Sequence, residues 1–161
     1  MSNASRLETT IIRLLARRGQ TLTLAESCTG GFIANRITNV PGASKIFPGG
    51  IVAYGNAVKK KFLGVRPETL QKHGAVSEAV AREMAGGARK KFGADFAIAV
   101  TGIAGPGGGT KRKPVGTVFI ALAGGGKTTA ERRLNSLGRE KFKRATADQA
   151  LKTLWLRLTR A

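Results

Sequence analysis

Ser27 is the first residue in this chain whose setting points to chemistry. It lies in Thr21-Leu22-Thr23-Leu24-Ala25-Glu26-Ser27-Cys28-Thr29-Gly30-Gly31, where a short apolar run ends in a hydroxyl-rich turn and an apolar helical pattern begins at Phe32. A strand, a tight turn and a helix N-terminus expose unpaired backbone N–H groups at the positive end of the helix dipole. That stabilises an anion or a developing alkoxide. A serine in such a turn is either a cap or a nucleophile. A second junction of the same type follows Phe96-Ala97-Ile98-Ala99-Val100-Thr101, where Gly102-Ile103-Ala104-Gly105-Pro106-Gly107-Gly108-Gly109 leaves the backbone open to a ligand. Two such loops at strand ends predict one shared site.

A serine nucleophile needs a base. The single His73 and single Cys28 cannot build a zinc site of the usual nitrogen and sulfur ligands, and metal catalysis by carboxylates, though open, has no cluster behind it, so no metal is expected. A Ser-His-Asp triad would have to use His73, which reads as an exposed cap or loop residue in a Lys72-His73-Gly74 turn. Lysine and tyrosine remain. A lysine kept neutral by burial or by neighbouring cations takes a serine proton, and Lys59, shortly after Tyr54 and just past a strand end, is placed for that role. Lys60 and Lys61 crowd it, so they either help to depress its pKa or compete for the task. Cys28 reads first as a buried packing residue and second as a nucleophile activated by the helix N-terminus. Thr29 is read equally as a helix cap and as a substrate ligand. The glycine loop is not a Walker motif, since no Gly-Lys-Ser or Gly-Lys-Thr closes it.

These residues have to be positioned by regular elements. Leu7, Ile11, Leu14 and Leu15 recur at helical spacing between Arg6 and Arg18, and Gly19 is the stop signal. A strand over Thr21–Ala25 follows, then a helix marked by Phe32, Ile33 and Ile37 that ends before Pro41-Gly42. Gly49 to Tyr54 reads as a short buried strand, with Asn56 as N-cap of a helix running to about Phe62. Pro67 marks a helix start, Gly74-Ala75-Val76 a turn, and Ser77 the cap of a helix from Glu78 to Lys91. Strands are predicted at Phe96–Val100 and Val115–Leu122, with a hairpin at Gly124-Gly125-Gly126 into a weaker strand over Thr128–Leu134. Phe142, Ala145, Leu151, Leu154, Trp155 and Leu158 mark a long terminal helix. Strands alternating with helices imply a single-domain α/β fold, a three-layer α/β/α sandwich with a mixed, mainly parallel sheet.

Composition bounds the answer further. The chain has 161 residues, 42% of them hydrophobic, enough for one domain with a single core, expected over residues 6–161. Residues 1–5 lack the charged and apolar regions of a signal peptide and are read as a flexible start, in part an expression remnant. One cysteine precludes an internal disulfide, and no apolar run reaches the roughly 18 residues that span a bilayer, so a cytoplasmic protein without membrane partners is expected. The net charge of +19, from 28 Lys and Arg against 9 Asp and Glu, favours anionic ligands. Its cations are dispersed with little aromatic interleaving. This reads first as a solvated surface, then as attraction for phosphorylated small molecules, and least as a nucleic-acid site.

In order along the chain stand Ala25-Glu26-Ser27-Cys28-Thr29-Gly30-Gly31, Tyr54-Gly55-Asn56-Ala57-Val58-Lys59, Gly74-Ala75-Val76-Ser77-Glu78, Gly102-Ile103-Ala104-Gly105-Pro106 and Lys113-Pro114-Val115-Gly116-Thr117-Val118. This set resembles the CinA C-terminal domain family, the nicotinamide-nucleotide amidases, over nearly the whole chain and without the additional N-terminal domain of larger CinA proteins. The resemblance implies hydrolysis of nicotinamide mononucleotide to nicotinate mononucleotide and ammonia, without a cofactor, by a homodimer. It implies Ser27 as nucleophile, Lys59 as its base, and Tyr54 as a partner in proton transfer or in holding the lysine. Backbone N–H groups at the start of the following helix would receive the oxyanion. Thr29, Gly30, Gly31, Thr101, Gly102, Ala104 and Gly105 would approach the phosphate and ribose, with Arg139 at the head of the last helix adding charge. Two departures stand out. Gly55 replaces a serine usual in the family and removes a hydroxyl near the dyad, and Leu137-Gly138 replaces the usual glycine and Asp or Asn before Arg139. Two other classes remain beside the amidase: a nucleic-acid-binding accessory protein, and a nucleotide-binding module without turnover.

Overall fold

A computed structural model describes residues 3–160 of the chain. Helix α1 (Asn3–Arg17) leads into β1 (Leu22–Glu26), α2 (Phe32–Thr38) and, after a single 3-10 turn at Ala43–Lys45, β2 (Gly49–Val52). Then come α3 (Asn56–Leu63), α4 (Pro67–His73), α5 (Glu78–Phe92), β3 (Phe96–Gly102), β4 (Thr117–Gly124), β5 (Lys127–Leu134) and α6 (Arg139–Thr159). Helix α1 thus starts at Asn3 rather than Arg6, so part of the stretch expected to be flexible is helical; residues 1 and 2 lie outside the described residues.

The five strands form one mixed sheet in the order β2-β1-β3-β4-β5. Strands β2 and β3 flank β1 in parallel, β4 is antiparallel to β3, and β5 antiparallel to β4, so only β4 opposes the common direction. Alternation along the central strands builds the two faces. Phe96, Ile98 and Val100 of β3, with Val118, Ile120 and Leu122 of β4, meet α1, α2 and α6 in one core. The alternate positions Ala97, Ala99, Ala121 and Ala123 face α5 through Val80, Met84 and Ala88 in a second core. Large side chains face one helix layer and alanines let α5 approach closely on the other. The result is the expected three-layer α/β/α sandwich.

Two local readings are corrected. Strand β2 stops at Val52 and lies at the sheet edge with alternating exposure, not buried on both faces. Asn56 is the first residue of α3 and Gly55 its N-cap, with an extended backbone at φ −88° and no side-chain cap. Ser77 does cap α5, accepting from the Val80 N–H at 3.3 Å. At the hairpin, Gly125 (φ +62°) and Gly126 (φ +80°) both take the left-handed backbone of a tight two-residue turn.

The registers align the site. Glu26, the last residue of β1, pairs with Val52 on one side and Val100 on the other, so the C-terminal ends of three parallel strands are level. The chain leaves β1 toward β2 on one side and leaves β3 toward β4 on the other. Such a reversal at neighbouring strand ends opens a crevice for ligands. Ser27 follows β1 and the glycine loop follows β3.

Candidate active site

Ser27 is held at the crevice by the sheet itself. Its N–H donates to the Val100 carbonyl (3.0 Å), and its side chain is nearly buried, the residue being 7% exposed. The next segment is tied to the same strand, because the Ala53 N–H donates to the Glu26 carbonyl (2.7 Å). Helix α3 then carries Lys59 inward. The Lys59 ammonium lies 3.0 Å from Ser27 Oγ, 2.8 Å from the Ala53 carbonyl and 3.1 Å from the Tyr54 carbonyl. At 1% exposure Lys59 is among the largest fully buried side chains of the described residues, whereas Lys60 and Lys61 are exposed. The choice among the three lysines is therefore made by burial. Lys59 and Leu63, one helical turn apart, share the inward face of α3.

Burial lowers the pKa of Lys59 below its ordinary value of 10.5, because the ammonium has lost its water. No carboxylate among the described residues forms an ion pair with it. Against this stand the two carbonyls that accept from the ammonium and the Cys28 thiol, which burial pushes up to about 12 and so leaves uncharged at neutral pH. Cys28 packs in the core beneath the cavity, which favours its packing reading over that of a nucleophile. In the neutral amine, two N–H bonds satisfy the Ala53 and Tyr54 carbonyls and the lone pair faces Ser27 Oγ. That is the geometry of a general base.

Tyr54 contributes its backbone, not its phenol, to the lysine. Its side chain is exposed (62%), and its hydroxyl lies 3.4 Å from Arg139 Nη1 at the rim. The proton-transfer role at Lys59 is not supported; the role of holding the lysine is filled by the carbonyl. His73 is exposed at the end of α4, with its carbonyl accepting from Lys113 Nζ at 2.7 Å.

A cavity of about 260 Å³ opens over the dyad, lined by Ser27, Cys28, Tyr54, Asn56, Lys59, Ala75, Val76, Thr101, Gly102, Ile103, Ala104, Gly105, Gly107, Gly108 and Arg139. Thr101, Gly102, Ala104, Gly105 and Arg139 therefore converge as expected. Thr101 donates its hydroxyl to the Ala75 carbonyl (2.8 Å) and so anchors the 75–76 wall. Gly102 is needed for space, since a β-carbon there would lie 2.8 Å from the Thr117 carbonyl and 3.0 Å from the Phe142 ring.

Thr29, Gly30 and Gly31 do not line this cavity, and a residue missed in the sequence explains why. Glu26 is 2% exposed, and its carboxylate accepts from the Thr29 hydroxyl and from the N–H groups of Gly31 (3.0 Å), Ile33 (3.1 Å) and Ala34 (2.8 Å). The N-terminus of α2 is thus already occupied by an internal anion, and the oxyanion expected there has no free donors. Gly30 N–H is also committed, to the Ser27 carbonyl at 3.1 Å. The detectable signal was at Gly31. As N-cap it has no side-chain acceptor, so the first amides of α2 require one from elsewhere.

Gly55, the departure from the usual serine, sits in open space: a β-carbon would meet nothing within 4 Å. Lys59 is held without the missing hydroxyl. Among the described residues no cluster of three or more metal-ligating side chains occurs, and no helix is long and apolar enough to cross a membrane.

Known proteins share this arrangement of chain and sheet. A solved competence/damage inducible protein, CihA from Agrobacterium tumefaciens, superposes with a TM-score of 0.94 at 41% identity, covering 99% of this chain and 97% of that one. A CinA superfamily protein from Klebsiella pneumoniae gives 0.94 at 36% identity over 99% of this chain and all of its own. A CinA-like protein from Parasynechococcus marenigrum is 51% identical over 154 residues, 94% of this chain and 37% of the relative. A putative competence-damage inducible protein from Symbiobacterium thermophilum is 58% identical over 126 residues, 78% of this chain and 30% of the relative. The chain spans about a third of the length of such curated relatives. The model of the CinA C-terminal domain matches residues 4–158, a span that includes the serine, the buried lysine and the glycine loop, and the chain belongs to that family.

Proposed function

We propose that the chain is an amidohydrolase that removes the carboxamide nitrogen of nicotinamide mononucleotide, giving nicotinate mononucleotide and ammonia. The observation that carries this reading is Lys59, buried without a carboxylate partner, held by two carbonyls and 3.0 Å from Ser27 Oγ. Ser27 Oγ attacks the carboxamide carbon while Lys59 takes its proton. Lys59 then returns that proton to the leaving nitrogen, which departs as ammonia, and water hydrolyses the acyl-serine. Since Glu26 fills the α2 N-terminus, the oxyanion is assigned to the Cys28 N–H and to amides of the 104–108 loop. Arg139, exposed at the rim with Tyr54, is the cation for the phosphate. A cavity of about 260 Å³ is at the small end for ligand sites, which favours a mononucleotide over a dinucleotide.

The test is ammonia release from nicotinamide mononucleotide by the wild type, Ser27→Ala and Lys59→Ala. Turnover by the wild type, with losses of about 10²-fold or more in each variant, supports the dyad. Saturable binding without turnover would make the protein a nucleotide-binding module instead.

A further inference from the structure

A cavity of about 760 Å³, larger than the one over Ser27 and Lys59, shares no residue with it. It runs between β5 and α6 and is lined by Lys127, Arg133, Lys152, Arg157 and Arg160 against a single carboxylate, Glu131. That carboxylate is already engaged, by Arg133 Nη2 at 2.6 Å and the Thr153 hydroxyl at 2.9 Å. Arg157 is fixed in place, donating to the Gly124 carbonyl (2.9 Å) and the Thr129 hydroxyl (2.8 Å). Among the described residues no carboxylate pairs with Lys127, Lys152 or Arg160. The cationic surface continues around the hairpin tip into a second hollow, of about 270 Å³, where Arg89 joins Lys127.

The arrangement of these charges decides what they fit. Lys127 and Arg133 are separated by about 20 Å of extended strand, and Lys152 and Arg160 by about 12 Å of helix. One small phosphate cannot reach both ends. A phosphodiester chain, with a charge every ~3.4 Å along each strand, can. No lining residue is aromatic, so recognition would run through phosphates and not through stacked bases. The hairpin tip itself, Gly124-Gly125-Gly126, has no side chain to obstruct a strand passing over it.

We propose that the β5–α6 groove is a second site, binding the sugar-phosphate backbone of nucleic acid without sequence preference. It acts separately from the amidase reading, and its failure would leave that reading untouched.

The test is fluorescence anisotropy of the full chain with a mixed-sequence duplex. For the three unpaired cations, the log–log slope of affinity against salt should be about −3, or roughly 40-fold weaker binding over a fourfold rise in salt. Lys127→Glu/Lys152→Glu/Arg160→Glu should lose at least about tenfold in affinity and most of that slope. A control with the same charge change on exposed cations elsewhere, Arg13→Glu/Lys45→Glu/Lys90→Glu, should stay within about threefold, and Ser27→Ala should bind as wild type. Equal losses in the two triple variants would overturn the proposal in favour of net charge alone. So would displacement of the duplex by nicotinamide mononucleotide, or binding of inorganic phosphate or anionic lipid vesicles with no binding of duplex.

Discussion

Lys59 and Glu26 are opposite solutions to burying a charge. Lys59 has no counter-ion, and burial lowers its pKa below 10.5, so the folded protein holds fewer protons than the unfolded chain between that lowered value and 10.5. Stability therefore rises with pH across this window, and the cost of burying the ammonium is fully present below it. The same titration creates the base, so kcat/KM should climb with pH to a plateau whose apparent pKa is that of Lys59, below 10.5. Lys59→Met should abolish the climb together with turnover, yet leave the melting temperature unchanged or raised, since an apolar side chain removes the buried charge. A pH–rate profile and a thermal melt check both halves. Glu26 is instead surrounded by four donors to its carboxylate. Glu26→Gln leaves one carbonyl oxygen for amides that two oxygens now serve. We expect a loss of about 1–3 kcal/mol in denaturant unfolding. We also expect a fall in kcat larger than any rise in KM, because the turn carrying Ser27 loosens while the Arg139 side of the cavity stays intact. Equal effects on binding and turnover would reduce Glu26 to a structural role.

Helix α3 is the element on which the dyad depends, and its position is set by α5. A β-carbon at Gly87 would collide with the Leu63 carbonyl at the end of α3. Gly87→Ala should therefore push α3 off α5 and draw Lys59 away from Ser27, overriding the gain of up to about 1 kcal/mol in helix propensity that alanine brings. Activity should fall at least tenfold, with a lower melting temperature, whereas Gly86→Ala, which meets nothing within 4 Å, should retain activity and melt no lower. Elements of this kind were readable in the sequence where periodicity agreed with a cap or turn signal: α5 begins after Ser77, and the triple glycine turns β4 into β5. β2 was misread as buried because a short apolar run, here Gly49 to Tyr54, looks alike at a sheet edge and at its centre; only the strand order distinguishes them. The contact between α3 and α5 was invisible for a similar reason, since nothing local to Gly87 names Leu63. At the site, Ser27, Lys59 and the 102–105 loop were legible as strand-end chemistry. Glu26 was not, because a carboxylate beside a turn ordinarily faces water, and its burial follows from the amides of a helix whose cap is glycine.

Charge is the property of the whole molecule, +19 over 161 residues, and the ion pairs do little to relieve it. Among the described residues every ion pair uses arginine: Arg36 with Glu8 and Asp148, Arg66 with Glu83, Arg82 with Glu78, Arg133 with Glu131 and Arg144 with Glu140. No lysine enters one, so the lysines other than Lys59 repel across the surface. Compact folding brings these like charges together, whereas unfolding spreads them apart, which makes repulsion a destabilising contribution of the native state. Screening should relieve it. The Debye length falls from about 30 Å at 0.01 M salt to about 8 Å at 0.15 M, short enough to uncouple most surface charges. The melting temperature should therefore rise on adding sodium chloride over this range, by about 3 °C for each kcal/mol of repulsion removed. Potassium chloride should give the same curve, because screening depends on ionic strength and not on the cation. The Arg36 cluster sets the opposing trend, since salt weakens attraction as well. A fall in melting temperature with salt would mean that these arginine pairs outweigh the unpaired lysines, and that the positive surface is organised rather than merely tolerated.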